Sequence, residues 1–336
     1  MPVSFKTIAQ QCGVPVSAVA AVLTCHAVVD EDTRRQVLAA AQRSGYPLDG
    51  TGKGLLHNLG VLFVEESNSG LTHPFFASML NAFKSEAEAH GYDITFINHH
   101  IGTESATYLE HCQYRNMDGV FIACIDFSSR DVAELLASEI PCVTVDHTAP
   151  GQPSVVSDNR TGMRMLVDYA VSLGHKRIAF IHGQRNSQVT DDRIDEFLSS
   201  MRRHGLPVPE GYLVEGRYDD LELIRAQTTE MLRLPERPTC LLLPDDACFL
   251  GAQEAIRACE LRIPADVSVA GYDGIRLTQS LRPHLTTIRQ DSELMGRAAA
   301  RRLIDKIERP DTASNDAVIV PVALLKGETV GWCNNW

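Results

Sequence analysis

The alternation of short apolar runs with longer amphipathic runs, which begins at residue 58, constrains the fold of this chain more than any other feature. Continuous apolar runs are typical of strands buried on both faces, and helices between such strands indicate parallel sheets covered on both sides. Ligands bind sheets of this kind at the carboxyl ends of their strands. So many βα units predict two doubly wound parallel-sheet lobes with a binding site at strand ends.

The boundaries of the predicted elements follow from these runs. Strands are predicted at 59–65, 93–98, 119–124, 142–147, 176–183, 239–245 and 267–273. Helices are predicted at 75–90, 104–114, 130–138, 160–173, 192–204, 221–233, 246–259 and 291–308. The strand at 59–65 therefore opens the α/β part of the chain.

Residues 1–45 have a different pattern, which predicts three short helices. Ser4 can N-cap the first helix, FKTIAQQC, and Gly13 can end it. A short turn leads to a second helix, VSAVAAVLT, and Asp30 can cap a third, EDTRRQVLAAAQRSG. Two short helices joined by a glycine-containing turn, with a supporting helix, form the helix-turn-helix pattern.

Residues 46–57, YPLDGTGKGLLH, contain Pro47 and three glycines, and they predict a flexible linker. The run GTGKG has some similarity to a phosphate-binding loop. That motif needs a glycine five residues before its Gly-Lys and a Ser or Thr after it, whereas Pro47 and Gly54 stand there. A nucleotide site in the linker is therefore not expected.

The composition favours a cytoplasmic protein of more than one domain. The chain has 336 residues and a net charge of −12, and it contains no apolar run near the roughly 20 residues that cross a bilayer. Its first residues lack the basic-then-apolar order of a secretory signal. The nine cysteines include no CxxC pair, so we expect reduced thiols and no zinc knuckle. No membrane association and no cofactor are expected.

Seven sequence runs, in their order and spacing, resemble the LacI/GalR-type (lac-repressor) family of bacterial transcription regulators over essentially the whole chain. They are SFKTIAQQCGVPVSAVAAVLT, VDEDTRRQVLAAAQRSGYPLD, PFFASMLNAFKSEAEAHGYD, VSDNRTGMRMLVDYAVSLGHKRIAFIHG, PDDACFLGAQEAI, IPADVSVAGYDG and HLTTIRQDSELMGRAAARRL. The resemblance implies an all-α helix-turn-helix head, a hinge and an α/β periplasmic-binding-protein-like core. It also implies a homodimer that binds a palindromic double-stranded DNA operator and closes on a small effector.

The resemblance also divides the chain into domains. It implies a DNA-binding head at 1–45, a hinge at 46–57 and a two-lobed core at 58–336. Since the chain of such proteins crosses between lobes three times, lobe 1 is expected at about 58–157 and 288–317. Lobe 2 is then expected at about 158–287 and 318–336.

The head departs from the family pattern at several positions that contact DNA. Pro15 replaces the usual Ser at the start of the recognition helix, Ala18 and Ala20 replace Thr and Ser, and Ala21 replaces a frequent Arg. The DNA contacts that the resemblance leaves are Ser4, Val16, Ser17, Ala20, Ala21, Thr24 and Arg34 in the head, with Lys53 and Leu55 in the hinge. Val16 and Ala20 can contact thymine methyl groups, and Ser17 can reach either type of base.

The charge of residues 1–57 is independent evidence on how strongly the head contacts DNA. Residues 1–57 carry five basic and four acidic side chains, which is few cations for a surface whose affinity depends on phosphate contacts. Two interpretations therefore stay open: a sequence-specific head with an apolar-leaning preference, and a folded head with weakened DNA affinity.

The hinge raises a related question. In the family it becomes helical on DNA, and a leucine, here Leu55, wedges into the minor groove and bends the duplex. Gly50, Gly52 and Gly54 each disfavour a helix by up to about 1 kcal/mol relative to Ala. The hinge is therefore expected to resist helix formation.

A cleft between two lobes needs polar groups, and the resemblance implies which positions contact the effector. They are Asp146, Asp245 and Asp273 at the ends of predicted strands, Arg193 at the start of a helix, Tyr218 in a turn and Gln290 at the end of TTIRQ, and Phe75 is a candidate wall residue. Carboxylates and a guanidinium fork suit vicinal hydroxyls, and an aromatic face covers the apolar side of a pyranose, so a sugar is the favoured effector. Asp246 is interpreted as an N-cap, an interpretation also open for Asp245. Phe75 and Phe76 are equally consistent with core positions.

The alternatives to a regulator are a metal-binding protein, an enzyme and a small-molecule-binding protein. His99, His100 and His111 suggest a metal, but adjacent residues on a strand point to opposite faces, so no metal site is expected. GxSxG, HExxH and phosphate-loop motifs are absent from the sequence, which argues against an enzyme. The remaining alternative is a small-molecule-binding protein whose degenerate head no longer reads DNA specifically.

Overall fold

The structure is a computed structural model, and it describes residues 4–24, 29–44, 46, 55–63, 70–218 and 220–333. Its helices are α1 (Phe5–Cys12), α2 (Val16–Thr24), α3 (Glu31–Arg43), α4 (Pro74–Ala89), α5 (Tyr108–Arg115), α6 (Arg130–Leu136), α7 (Asn159–Ser172), α8 (Gln188–Arg203), α9 (Leu221–Leu232), α10 (Phe249–Ala258), α11 (Arg276–Ser280) and α12 (Ser292–Glu308). Its strands are β1 (Asn58–Phe63), β2 (Asp93–Phe96), β3 (His100–Ile101), β4 (Glu104–Ser105), β5 (Gly119–Ala123), β6 (Cys142–Val145), β7 (Ser154–Ser157), β8 (Ile178–His182), β9 (Leu213–Glu215), β10 (Cys240–Leu242), β11 (Ser268–Asp273), β12 (Thr286–Arg289), β13 (Val318–Val320) and β14 (Ala323–Leu325).

The three head helices begin where the sequence predicts, and the first two also end there, whereas the third ends at Arg43 with Ser44 as its cap rather than at Gly45. Ser4 Oγ accepts a hydrogen bond from the Thr7 N–H at 3.4 Å, and Asp30 Oδ1 accepts one from the Thr33 N–H at 2.9 Å. Gly13 ends α1 at φ +68°, a left-handed conformation that glycine adopts without a Cβ penalty. The buried core of the head consists of Ile8, Ala9, Val19, Val22, Leu23, Val37, Ala40 and Ala41.

Two six-stranded sheets form the rest of the molecule. The first has the order β13-β7-β6-β5-β1-β2, and all of its pairs are parallel. The second has the order β14-β12-β11-β10-β8-β9, and it is parallel except for the edge pair of β12 with β14. A separate hairpin joins β3 and β4. Each large sheet is doubly wound, as predicted.

Side-chain alternation along the strands gives each sheet two apolar faces. In the first lobe, Val61 and Phe121 pack toward α4 and α12, while Leu62 and Val120 pack toward α5 and α6. The second sheet is covered in the same way by α7 and α8 on one face and by α9 and α10 on the other. Burial on both faces explains why these strands have continuous apolar sequences.

Helices α4 and α12 approach each other closely at Gly296. A Cβ atom at this position would lie 2.1 Å from the backbone oxygen of Met79. No side chain fits there, so glycine permits the contact that holds the late helix α12 on the first lobe.

The chain crosses between the lobes three times, but two boundaries differ from the sequence prediction. Strand β12 at 286–289 belongs to the second sheet, so the second crossing follows 289 rather than 287. Strand β13 at 318–320 pairs in parallel with β7 of the first sheet, so assigning 318–320 to the second lobe is wrong. The pairing satisfies the outer edge of β7, and the third crossing comes between β13 and β14.

The predicted long elements are present, with ends that differ by a few residues. Helix α8 begins at 188 rather than 192 because the Ser187 Oγ caps it, accepting a hydrogen bond from the Thr190 N–H at 3.3 Å. The strands at 154–157, 213–215 and 286–289 were not predicted, because runs of three or four residues show little periodicity. Among the described residues, no helix has both the length and the apolar character that a bilayer crossing requires.

Candidate functional site

A cavity of about 200 Å³ lies between the lobes, at the carboxyl ends of their strands. The first lobe contributes residues that follow β5 and β6, together with the start of α4. The second contributes residues that follow β8, β11 and β12, together with the first turns of α8. This is where a doubly wound sheet is expected to bind a ligand.

Six of the seven predicted effector residues line this cavity. They are Phe75, Asp146, Arg193, Tyr218, Asp273 and Gln290. They come from both lobes and span more than 200 positions of the sequence, so only the fold brings them together. We call this cavity, with the residues that line it, the cleft.

Arg193 is the buried cation of the cleft, with only 4% of its surface exposed. Its Nε donates to Asn159 Oδ1 at 2.8 Å, and its Nη1 donates to the Pro244 carbonyl at 2.9 Å. The guanidinium carbon lies 3.5 Å from the centroid of the Tyr272 ring. These contacts fix the plane of the guanidinium and leave further N–H groups of its fork for a ligand.

Asp146 and Asp273 are the two carboxylates that interact electrostatically with Arg193. The Ser157 N–H donates to Asp146 Oδ1 at 3.1 Å, and Gln290 Nε2 donates to Asp273 Oδ1 at 2.6 Å. Burial raises the pKa of Asp146. Burial likewise raises the pKa of Asp273 to about 6, against the opposing effect of nearby His73 and Arg193.

The backbone is strained at three residues of the cleft. Cys124, Asp146 and Asp273 have φ of +52°, +55° and +112°, although none of them is glycine. Each stands at or just after the end of a strand, where the chain turns toward the cleft. Such conformations are disfavoured by about 1–3 kcal/mol and concentrate at functional sites. Three of the six described non-glycine residues with positive φ therefore line the cleft, which makes these strand ends candidates for a binding site.

Tyr218 takes its place because residue 183 is a glycine. A Cβ on Gly183 would lie 2.1 Å from the Tyr218 ring, so any other residue would displace it. The Tyr218 hydroxyl is hydrogen-bonded to Thr190 Oγ1 at 2.8 Å. The ring therefore has a fixed orientation at the second-lobe side of the cleft.

Asp245 does not line the cleft, so the prediction that it contacts the effector is corrected. Its Oδ1 accepts a hydrogen bond from the Cys248 N–H at 2.7 Å, which is a cap at the turn before α10. Asp246, interpreted as the cap, instead accepts hydrogen bonds from Thr278 Oγ1 at 3.0 Å and the Ile275 N–H at 2.9 Å. The cap is therefore Asp245 rather than Asp246, and neither of them lines the cleft, because the turn directs their side chains in different directions.

Sequence reasoning missed several residues of the cleft. His73 is 7% exposed, and its Nδ1 has no hydrogen-bond partner in the structure. The His147 ring stacks on Phe127 with 3.9 Å between centroids. Gln188 Oε1 accepts hydrogen bonds from the Thr148 N–H at 2.8 Å and Thr148 Oγ1 at 3.0 Å, which joins the lobes beside the cleft. Only the position of His147 after a strand could have indicated its role.

The predicted DNA contacts of the head divide into exposed and half-buried residues. Val16, with 46% of its surface exposed, and Ser17 lie on the outer side of the α2 N-terminus, and Arg34 is exposed on α3. Ala20 and Ala21 are half-buried, and Ser4 is exposed at the cap of α1. Lys53 and the side chain of Thr24 lie outside the described residues.

Leu55 differs from its predicted role. It is 5% exposed and packs in the core of the first lobe with Leu59 and Tyr92. The next residues are held by Asp118, whose carboxylate accepts hydrogen bonds from the Leu56 N–H at 3.1 Å and the Asn58 N–H at 2.9 Å. Leu55 stands three residues before β1, so in this conformation it is a core residue and not a free wedge.

The histidines considered for a metal have other partners. His99 packs on the Tyr108 ring, and His111 Nδ1 accepts a hydrogen bond from the Asn98 N–H at 3.0 Å. Within the described ranges, no group of three or more His, Cys, Asp or Glu side chains is arranged to hold a metal ion.

Comparisons with known proteins agree with the fold. A family model described as a periplasmic binding protein-like domain matches residues 167–330. The ribose operon repressor of Escherichia coli (strain K12) is 28% identical over 334 residues, covering 96% of this chain and 99% of that protein. The structure of a lac repressor dimer bound to operator and the anti-inducer ONPF is 26% identical, with a TM-score of 0.70, covering 98% of this chain and 100% of the other.

A complex of the transcriptional regulator CelR with cellobiose is 23% identical and has a TM-score of 0.70, covering 97% of this chain and 99% of that one. At that identity the likeness shows the fold alone. The curated relative is a repressor, and the lac repressor complex spans head and core alike. Over nearly its whole length the chain is therefore similar to repressors of the LacI/GalR-type (lac-repressor) family of bacterial transcription regulators.

Proposed function

We propose that this protein is a ligand-responsive repressor that binds a palindromic operator as a homodimer and takes a sugar as effector in the cleft. The observation that carries the proposal is the buried Arg193, which interacts with two strained aspartates in a cavity shared by both lobes. A buried guanidinium with unused donors is suited to a polar ligand.

The position of the cleft supports coupling between effector and DNA. His73 and Asp146 belong to the first lobe, and Arg193 and Asp273 to the second, so a ligand that contacts all four favours one arrangement of the lobes. A ligand shifts a conformational equilibrium only by its difference in affinity for the two states. Because the head is joined to the first lobe at Leu55, a change in lobe arrangement changes how the two heads of a dimer are spaced.

The chemistry of the cleft and the names of similar proteins together support a sugar as the effector. Carboxylates accept hydrogen bonds from vicinal hydroxyls, a guanidinium donates to them, and the rings of Tyr218 and Phe75 offer apolar walls. One relative is named for ribose, and one solved structure of the same fold holds cellobiose. We assign effector contact to Phe75, Asp146, Arg193, Tyr218, Asp273 and Gln290.

We assign DNA contact to the head at 1–45 and the hinge at 46–57. Val16 and Ser17 are exposed at the start of α2, where a helix-turn-helix protein presents side chains and backbone N–H groups to the major groove. Ser4, Ala20, Ala21, Thr24, Arg34 and Lys53 remain proposed contacts. The alternative, a core that binds ligand beneath a head that no longer reads DNA, is favoured by the alanines that replace polar residues on α2.

A titration of the full-length protein with a palindromic duplex from its own promoter region tests the proposal. We expect specific binding that weakens with salt, because each phosphate contact releases a counterion, and a change in affinity when effector is added. A scrambled duplex of equal length is the control. Equal affinity for both duplexes at every salt concentration would favour the alternative.

The effector and the dimer need separate measurements. A thermal-shift screen over monosaccharides, disaccharides and nucleobases identifies the ligand class, since a ligand at 100 times its dissociation constant stabilises by about 2.7 kcal/mol. Light scattering at micromolar concentration should show twice the chain mass of 37.0 kDa. A species of the chain mass alone would contradict the homodimer.

A further inference from the structure

We propose that the cleft selects an uncharged, hydroxyl-rich ligand and rejects the acid or phosphate ester of the same skeleton. This inference rests on the proposed function, which does not by itself distinguish neutral from anionic effectors. It follows from the charges that line the cleft and from the hydrogen-bonding groups that are left unused there.

The buried cation of the cleft is already matched by carboxylates. Arg193 interacts electrostatically with both Asp146 and Asp273, and its Nε and Nη1 donate to neutral oxygens of Asn159 and Pro244. An anion that approached Arg193 would therefore also approach two acidic groups held in the same buried space.

The other charged residues that line the cleft, Arg217 and Asp126, add no excess of positive charge. Arg217 lies at the cleft, but its Nη1 is 3.4 Å from Asp220 Oδ2. Asp126 is a third carboxylate at the cleft, and the hydroxyl and N–H of Ser128 lower its pKa, which keeps it ionised. Among the described lining residues, three carboxylates therefore face two guanidinium groups.

The polar atoms left without a partner in the cleft are groups that can hydrogen-bond to hydroxyls. Four buried side-chain atoms of the described residues lack a hydrogen bond, and two of them, His73 Nδ1 and Gln290 Oε1, belong to the cleft. They come from opposite lobes, and the bond from Gln290 Nε2 to Asp273 leaves the Gln290 amide oxygen as an acceptor. An acceptor of this kind needs a donor such as a hydroxyl, which a carboxylate or phosphate oxygen does not provide.

The first test is a matched ligand panel on the full-length protein. Neutral pentoses and hexoses are compared with the uronic acids and 6-phosphates of the same hexoses, by thermal shift and then by calorimetry. The neutral member should bind at least about tenfold more tightly than its charged counterparts, because juxtaposed like charges disfavour binding. An acid or phosphate that binds as well as the neutral sugar would overturn charge selection and leave the proposed sugar effector intact.

The second test does not require the effector to be known. Cys124 lines the cleft and is partly exposed, so its alkylation rate reports the local potential. Iodoacetamide and iodoacetate have similar size but differ by one negative charge. The ratio of their rates at Cys124, measured by mass spectrometry, should exceed the ratio at Cys259 by about fivefold or more, because a negatively lined cleft lowers the local concentration of an anion.

Asp273→Asn provides the matched variant for both tests, since an Asn oxygen can still accept from Gln290 Nε2. The variant should bring the Cys124 rate ratio toward that of Cys259 and should narrow the preference for neutral over acidic ligands. Its circular dichroism spectrum reports whether it folds, and Asp126→Asn at the rim repeats the measurement if it does not. An equal rate ratio at Cys124 and Cys259 in the unmodified protein would contradict charge selection even if no sugar in the panel binds.

Discussion

The head and the cleft are the two proposed binding regions, and they are constructed in opposite ways. The head is local: three consecutive helices close a small core, and Val16 and Ser17 project outward from one helix end. In the cleft, side chains from two lobes meet around Arg193, and the backbone is strained at three strand ends. The head can therefore lose polar contacts without losing its fold, whereas the contacts of the cleft are part of the stability of the core.

This difference predicts which substitutions should change binding without changing stability. Half-buried alanines stand on α2 where the family pattern has polar residues, yet the apolar core of the head is complete. A comparable replacement in the cleft would leave buried polar groups without partners. We therefore expect substitutions in the cleft to affect stability and binding together, and substitutions in the head or hinge to affect mainly DNA binding.

The largest effect is expected for Arg193→Ala. The substitution removes the buried cation that interacts electrostatically with Asp146 and Asp273, and it leaves the Pro244 carbonyl and Asn159 without their donor. Removing one partner of a buried charge cluster destabilises a protein by about 3–5 kcal/mol, so the thermal midpoint of the core should fall and effector binding should disappear. Denaturation followed by circular dichroism, with calorimetry for the effector, measures both.

Arg160→Ala on α7 is the control, because its guanidinium is half exposed and pairs with Asp192 at the surface at 2.6 Å. Exposed pairs contribute about 0–1 kcal/mol, so this variant should change neither stability nor effector affinity appreciably. Unchanged effector affinity in Arg193→Ala would remove Arg193 from the proposed site.

The second-largest effect is expected in the pH dependence of stability, through Asp273. Its pKa is about 6 in the folded protein, above the ordinary 3.8, so the folded state binds this proton more readily than the unfolded state. The stability that this group contributes is present below about pH 4 and is lost as the pH rises through about 6. Relative to Asp273→Asn, the wild-type core should therefore lose roughly 2–3 kcal/mol between pH 4 and pH 7. Parallel stability curves for both proteins would contradict the raised pKa.

Gly52→Ala in the hinge tests the DNA-binding head rather than the cleft. If the hinge becomes helical on DNA, alanine should strengthen operator binding by up to about 1 kcal/mol per hinge, or about 2 kcal/mol for a dimer. Effector affinity of the DNA-free protein should not change. An operator titration at fixed salt decides the matter, and weaker binding by Gly52→Ala would indicate a non-helical hinge.

The smallest effect is expected for Gly13→Ala in the head. At φ +68° a Cβ has space around it, so the change introduces only the conformational penalty of about 1–2 kcal/mol. Operator binding should weaken modestly, while the core should keep its thermal midpoint and its effector affinity. A shift of the core midpoint would show that the head and core unfold as one unit.

Much of the fold was predictable because the long elements carry strong periodic signals. The doubly wound lobes followed from apolar strands such as 119–123, and the head followed from caps such as Asp30. The short strand at 318–320 carries no such signal, and only its pairing with β7 determines its lobe. Strand pairing over a long sequence separation is not encoded in local composition.

Residues of the cleft that stand at strand ends could be predicted from the sequence. Residues that line the cleft only because the second lobe lies opposite them could not. Asp146 and Asp273 follow apolar strands, so their position alone indicated the cleft. His73 stands at the start of α4 and lines the cleft only because the other lobe lies across from it. Asp245 and Asp246 have the same sequence signal, and only the turn determines which of them caps.

The anchoring of Leu55 in the first lobe limits how far each head can reach. Tyr46 packs against Phe5 of the head with 5.8 Å between ring centroids, so residues 47–54 alone connect the two anchored ends. Even when this segment is fully extended, the nine steps from residue 46 to residue 55 span no more than about 32 Å. Each head is thereby confined to a small volume, at an effective concentration that short tethers place in the millimolar range. An operator whose half-sites are moved apart by more than the two tethers can span together, about 65 Å, should therefore engage only one head of a dimer at a time.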